Sequence, residues 1–243
     1  MTSTPDTIVL IHGLWMTPRS WEGWAERYRS RGYEVIAPSW PGMEGEVEAL
    51  NADPTPIAGL EIDQIVDHYE QIIRALPAPP IIMGHSFGGA FTQVLLDRGL
   101  GAAGVGVASA TVKGVLDLPL STIRATTPVL RNPFGDHKAV PLNEKQFHYA
   151  FANFHRDPPT KIHFERPRAP LLFIAFGEDH IIPPKASHHN MEKYEGADGI
   201  VAFKEYPGKP HFPAAPGWEE VADFALSWAL DPRPLDTREA ARA

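Results

Sequence analysis

The sequence predicts an α/β fold, in which a mostly parallel sheet of six strands carries helices on both faces. Short continuous apolar runs recur along the chain, as expected for strands that are buried on both sides. Helical patterns alternate with these runs, and that alternation implies a parallel sheet. The chain has 243 residues, of which 43% are hydrophobic. This is enough for one sizeable core, so the sequence favours a single α/β domain.

The predicted elements follow from the apolar runs and from the residues that interrupt them. The strands are predicted at residues 7–11, 33–37, from 81 onward, 104–108, 170–176 and 200–205. The helices are predicted at residues 18–31, 60–76, 90–98, 184–194 and 216–230. Thr17 and Pro18 supply an N-cap and a first-turn proline for the first helix. Residues 39–59 are rich in proline and glycine, which predicts a long loop with a short turn of helix.

The composition excludes several classes of function. A formal net charge of −8 argues against a nucleic-acid partner, because such a protein needs a basic surface. No apolar stretch approaches the length that spans a bilayer, so we expect no insertion into a membrane. The polar N-terminus leads straight into a strand and shows no signal peptide. The absence of cysteine excludes disulfides and thiol catalysis, and we expect a cytoplasmic protein.

The stretch Gly84-His85-Ser86-Phe87-Gly88 joins an apolar strand pattern to a helical pattern. This order is typical of a nucleophile elbow, a sharp turn that lifts a serine hydroxyl clear of the backbone. The turn places the serine at the N-terminus of the new helix, where amide groups and the helix dipole favour an oxyanion. The glycines leave room for the strand and the helix to approach each other closely.

A second glycine pattern, at Gly99, Gly101 and Gly104, matches the spacing of a dinucleotide-binding loop. Such a loop follows a strand and opens a helix. Here the glycines follow a predicted helix and precede a predicted strand, so we interpret them as a simple connection. The sequence thus predicts no cofactor.

Residues 112–165 interrupt the alternation of strands and helices. This part of the chain is rich in proline, aromatic residues and histidine, with short helices near residues 120–127 and 143–151. We interpret it as an inserted lid. Residues 1–111 and 166–243 then form the core of the domain.

Three residues with complementary chemistry follow predicted strands, in the order Ser86, Asp179 and His211. A serine hydroxyl needs a base to remove its proton, and an imidazole base needs a carboxylate that fixes its tautomer. The carboxyl ends of parallel strands meet at one edge of a sheet, where active sites of this fold class lie. The chain order serine, acid, histidine is the one expected for this type of elbow.

The sequence resembles the serine hydrolases of the α/β-hydrolase fold over residues 7–229. The motifs that carry the resemblance are His12-Gly13, Gly84-His-Ser86-Phe-Gly88, Gly177-Glu-Asp179 and His211. The family's usual sheet has eight strands, and only six residues precede Thr7, so we expect about six strands here.

The resemblance implies a mechanism and a second set of site residues. Ser86 would attack a carbonyl carbon, and water would later hydrolyse the acyl-enzyme. The backbone N–H groups of Leu14 and Phe87 would form the oxyanion hole. The implied substrate is a carboxylic ester, or a related acyl compound, of a hydrophobic small molecule.

Some residues admit a second interpretation. Glu178 could replace Asp179 as the acid. His180, His188 and His189 could suggest a metal, but their spacing matches no common zinc pattern, so we predict no metal site. We expect His85 to point into the sheet packing and His12 to shape the oxyanion loop. Aromatic candidates for the substrate pocket are Trp15, Trp40, Phe134, Phe147, Phe151 and Phe154, each of which could equally pack within the lid.

The triad alone leaves the reaction open, because one fold supports many reactions. An acyltransferase, a lactonase or amidase, a C–C hydrolase, a perhydrolase or haloperoxidase and a lyase could all use it. A ligand receptor with a retained triad is an alternative of another class. The sequence gives neither the natural substrate nor the oligomeric state.

Overall fold

The structure is a computed structural model, and it describes residues 4–14, 16–53, 55–57, 60–113, 115 and 161–235. In this part of the chain six strands form one sheet: β1 (Thr7–Ile11), β2 (Glu34–Ile36), β3 (Ile81–His85), β4 (Ala103–Val107), β5 (Leu171–Phe176) and β6 (Val201–Tyr206). Their order is β2-β1-β3-β4-β5-β6, and every neighbouring pair is parallel. The predicted parallel α/β sheet of six strands is confirmed.

The described helices connect these strands. They are α1 (Glu22–Arg29), α2 (Val47–Ala52), α3 (Ile62–Arg74), α4 (Phe87–Asp97), α5 (Pro184–Glu192) and α6 (Trp218–Leu230), with 3-10 turns at Pro18–Trp21 and Thr55–Ile57. None of the described helices has the length and apolar character needed to cross a membrane.

Two hydrophobic cores lie on opposite faces of the sheet. Along β1, Val9 and Ile11 face one core, whereas Ile8 and Leu10 face the other. The first core contains residues of α3, α4 and α5, and the second contains residues of α1 and α6. Because both faces are covered, the central strands are apolar on both sides, which is why they were recognisable as continuous runs.

Several predicted boundaries were wrong in detail. The first predicted helix starts as a 3-10 turn and ends at Arg29, and the Thr17 side chain makes no capping hydrogen bond. The helix after the elbow begins at Phe87, three residues earlier than predicted, because the turn needs only Ser86. The predicted loop at residues 39–59 contains the six-residue helix α2, which agrees with the short turn of helix predicted there.

The glycine pattern that resembled a dinucleotide loop lies between the end of α4 and the start of β4. Gly99 and Gly101 have φ angles of 76° and 81°, which suit a tight turn at a helix C-terminus. The predicted lid at residues 112–165 falls mostly outside the described residues, so it remains a prediction.

Candidate active site

Ser86 lies between β3 and α4 with φ 55° and ψ −117°, a backbone conformation that residues other than glycine rarely adopt. The neighbouring glycines make this turn possible. A Cβ on Gly84 would overlap the carbonyl oxygen of Gly88, and a Cβ on Gly88 would overlap that of Ile11 in β1. The strand, the turn and the helix therefore approach one another more closely than any side chain would allow.

Hydrogen bonds hold the Ser86 backbone in this conformation. Its N–H donates to the Val107 carbonyl at 3.0 Å. Its carbonyl accepts from the N–H groups of Gly89 at 3.0 Å and Ala110 at 2.9 Å. A strained residue persists only where the surroundings over-determine its conformation, and such residues concentrate at functional sites.

Asp179 and His211 form a buried pair at the same edge of the sheet. Asp179 follows β5 and His211 follows β6, so both lie at the carboxyl edge. The Asp179 Oδ2 atom is 2.6 Å from His211 Nδ1, and its Oδ1 atom accepts 2.8 Å hydrogen bonds from the N–H groups of Ile181 and Ile182. A carboxylate accepts, so Nδ1 of His211 donates, and Nε2 is then the basic nitrogen of the ring.

The structure brings His211 beside the elbow. The ring of His85, the residue before Ser86, is 4.7 Å from the ring of His211 between centroids. In the described part of the chain no hydrogen bond joins the Ser86 hydroxyl to His211 Nε2. Catalytic hydrogen bonds are often long in unliganded enzymes and tighten when the substrate binds.

Ser86 is less accessible than the elbow motif suggested. Ser86 is 5% exposed, His211 8% and Asp179 2%. Burial of this kind separates the three side chains from bulk water and strengthens the electrostatic interactions between them.

Leu14 and Phe87, the predicted oxyanion-hole residues, both lie close to the elbow. Leu14 follows β1, next to Gly13, and Phe87 is the first residue of α4. A Cβ on Gly13 would lie 3.0 Å from the Ser86 Cβ, so the loop after β1 runs directly past the elbow. Among the described residues, neither the Leu14 nor the Phe87 N–H donates a hydrogen bond.

His12 links this loop to Trp40. The His12 Nδ1 atom donates to the Gly13 carbonyl at 2.9 Å, and Nε2 accepts from the Trp40 N–H at 3.3 Å. The two rings stack with centroids 5.0 Å apart. Burial lowers the pKa of His12 to about 4, an effect that the hydrogen bond to Gly13 only partly offsets. The ring is therefore neutral at pH 7, and Trp40 packs in the core beside the loop.

Sequence reasoning missed a polar layer behind the elbow. The Gln93 Nε2 atom donates to Ser109 Oγ at 2.9 Å, and Gln93 Oε1 accepts from the Tyr194 hydroxyl at 2.9 Å. Ser109 also touches the place where a Gly89 side chain would stand. The available signal was a glutamine inside an otherwise apolar helix, since such a residue needs buried partners.

The remaining candidates are placed as follows. The Glu178 side chain is 64% exposed and lies near His180, whereas Asp179 contacts His211. His188 pairs with Glu192 on α5. The part of the chain that the structure describes contains no group of three residues suited to bind a metal. Trp15, Phe134, Phe147, Phe151 and Phe154 lie outside the described residues.

The sequence profile described as the alpha/beta hydrolase family matches residues 8–224. The chain belongs to the alpha/beta hydrolase family. No curated protein matches the sequence.

Solved structures share the fold at low sequence identity. A pyrethroid hydrolase from Sphingobium faniae is 18% identical, with a TM-score of 0.63 over 94% of this chain and 99% of that one. A monoacylglycerol lipase from Paleococcus ferrophilus is 19% identical, with a TM-score of 0.60 over 94% and 96% of the two chains. A metagenome-derived lipolytic enzyme is 19% identical, with a TM-score of 0.63 over 94% and 95%.

Proposed function

We propose that this protein is a serine hydrolase that cleaves a carboxylic ester through an acyl-enzyme. In this proposal Ser86 is the nucleophile, His211 the general base and Asp179 the acid that orients it. The observation that carries it is the buried 2.6 Å contact between Asp179 and His211 beside the strained Ser86 turn. Membership of the alpha/beta hydrolase family supports the same assignment.

The reaction has two halves. Ser86 Oγ attacks the carbonyl carbon while His211 Nε2 takes the hydroxyl proton, and the alcohol leaves with that proton. Water then attacks the acyl-enzyme, His211 takes its proton, and the acid leaves as Ser86 regains its hydrogen. Asp179 stabilises the imidazolium that forms in each half.

The Leu14 and Phe87 N–H groups would bind the oxyanion of both tetrahedral intermediates. One such donor contributes about 2.7–4 kcal/mol to the transition state. Phe87 also begins α4, so the helix dipole adds to the favourable potential at that point.

The substrate that this proposal favours is a hydrophobic small molecule. The structural neighbours named as a pyrethroid hydrolase and as a monoacylglycerol lipase support that choice. Trp40, at the start of the loop after β2, remains our pocket candidate within the described residues. We also propose that the protein has no nucleic-acid partner, in line with its net charge of −8, and that it is cytoplasmic, in line with its lack of cysteine.

The test is hydrolysis of p-nitrophenyl esters of increasing chain length. We expect repeated turnover by the unaltered protein and a fall of about 10⁶-fold in kcat for Ser86→Ala, with the melting temperature retained. Ser20→Ala, which removes a serine on the 3-10 turn before α1, is the matched control and should keep full activity. A fluorophosphonate should label only the peptide that contains Ser86. Activity in Ser86→Ala, or a label on another residue, would contradict the proposal.

A further inference from the structure

His85 is the last residue of β3 and is 2% exposed. Its ring lies against two parts of the candidate site and against Trp21, on the 3-10 turn before α1. The His211 ring is 4.7 Å away and the Trp21 ring, oriented edge-on, is 6.4 Å away between centroids. On the third side, a Cβ on Gly13 would lie 3.0 Å from His85 Nδ1, so the oxyanion loop passes directly over the ring.

One hydrogen bond connects His85 to the loop that carries His211. The His85 Nε2 atom lies 2.8 Å from the backbone carbonyl oxygen of His211. A carbonyl only accepts, so Nε2 must carry the hydrogen and donate. Burial is the main cause that holds the pKa of His85 well below its usual value, and electrostatic interactions with the neighbouring imidazoles of His211 and His12 lower it further, so the ring is neutral.

We propose that His85 is a positioning residue, whose Nε2–H group holds the His211 backbone at the distance from Ser86 that proton transfer requires. This inference rests on the proposed function of Ser86 and His211. His211 lies between the end of β6 and the start of α6, outside any helix or strand. Asp179 orients the side chain of His211. His85, the residue before Ser86, holds the backbone of His211 through its hydrogen bond to the carbonyl.

The arrangement explains why a histidine suits this position. Residue 85 is joined covalently to Ser86, so the length of its side chain sets the distance between the elbow and the loop that carries His211. A rigid ring with a donor at its far end keeps that separation constant. Misplacement of a catalytic group by about 1 Å can lower the rate by about 10²-fold.

The test uses two variants at position 85 and a short ester substrate. His85→Leu removes the donor, and we expect kcat to fall by about 10²-fold while KM stays unchanged, because the substrate contacts remain. His85→Gln places an amide nitrogen near the position of Nε2 and should recover most of that loss. A merely structural role would not produce rescue by glutamine or a change confined to kcat.

Tyr28→Phe is the matched control, since it also removes one buried hydrogen bond to a carbonyl, from the Tyr28 hydroxyl to Ala222 at 2.8 Å. It should lower the melting temperature without lowering kcat. Equal kcat in His85→Leu and the unaltered protein would overturn the inference, and so would equal losses in the Leu and Gln variants or a similar loss in Tyr28→Phe. The Ser86→Ala experiment is separate: it removes activity whether or not His85 positions His211.

Discussion

Ionisable side chains are buried at both edges of the sheet, but the groups that compensate their charge differ between the edges. At the amino edge, the Asp97 carboxylate at the end of α4 is 6% exposed and lies 3.6 Å from the guanidinium of Arg168, which is fully buried. Asp97 is also 3.0 Å from His163 Nδ1, and the guanidinium of Arg168 stacks 4.8 Å from the centre of the Tyr194 ring. Charge is met by opposite charge here.

At the carboxyl edge, burial keeps the imidazoles of His12 and His85 neutral, and Asp179 is the buried carboxylate. Within the described residues, no lysine or arginine pairs with Asp179; two backbone N–H groups and His211 contact it. In the proposed reaction the countercharge of Asp179 forms when His211 takes the proton of the Ser86 hydroxyl. The amino edge thus pairs its buried carboxylate with an arginine, whereas the carboxyl edge pairs its buried carboxylate with the histidine that we propose as the base.

The largest effect is expected from Asp179→Asn. The amide cannot stabilise the imidazolium and favours the wrong tautomer of His211, so kcat should fall by about 10⁴-fold while the fold remains. Steady-state hydrolysis of a p-nitrophenyl ester and thermal unfolding measure the two quantities. A rate close to that of the unaltered protein would move the role to another acid and remove the contrast between the two edges.

Asp97→Asn should have the opposite profile, with stability lost and kcat kept. It leaves the buried Arg168 without its carboxylate, and breaking such a pair lowers the free energy of unfolding by about 3 kcal/mol. Asp223→Asn is the matched control, because that carboxylate contacts Arg27 and Arg31, as Asp97 contacts Arg168 and Arg166, but is 39% exposed. Its loss should be about 1 kcal/mol or less. Urea unfolding gives both values, and equal losses would mean that burial does not matter at the amino edge.

The sequence predicted the carboxyl edge better than the amino edge, for a physical reason. Strands buried on both faces are continuous apolar runs, and the polar residues that follow them are conspicuous. The Asp97–Arg168 pair has no such signal, because a charged residue at a helix end or in a loop is usually exposed. Arg168 comes close to Asp97 only because the segment before β5 folds back to the end of α4.

The finer geometry of the site also depends on tertiary structure. The sequence predicted that His12 follows β1, but it did not predict the hydrogen bond from the Trp40 N–H to the His12 ring. It predicted that His85 packs into the sheet, but not that its Nε2 reaches the His211 carbonyl. Both contacts join segments that are distant in the chain, and neither segment's pattern specifies its partner. Helix α2 was predicted only as a short turn of helix without bounds, because its six residues lie in a stretch rich in proline and glycine.

The stability of the carboxyl edge should also depend on pH. The pKa of His12 is lowered to about 4 in the folded protein and is about 6.5 in the unfolded chain. Between these values the unfolded chain binds one more proton at this site, so the free energy of unfolding decreases as the pH falls. The slope from His12 is at most about 1.4 kcal/mol per pH unit, and His85, whose pKa is also lowered, adds to it.

His12→Gln should reduce this slope by up to about 1.4 kcal/mol per pH unit, which corresponds to one proton. Urea unfolding at pH values from 7.5 to 4.5 measures the slope. His180→Gln is the control, since that side chain is 74% exposed and should leave the slope unchanged. An identical slope in His12→Gln and the unaltered protein would mean that the His12 ring takes up its proton while folded. The carboxyl edge would then contain a charged imidazole in the folded protein, as the amino edge contains charged side chains. Neutral buried histidines could then not be the difference between the two edges.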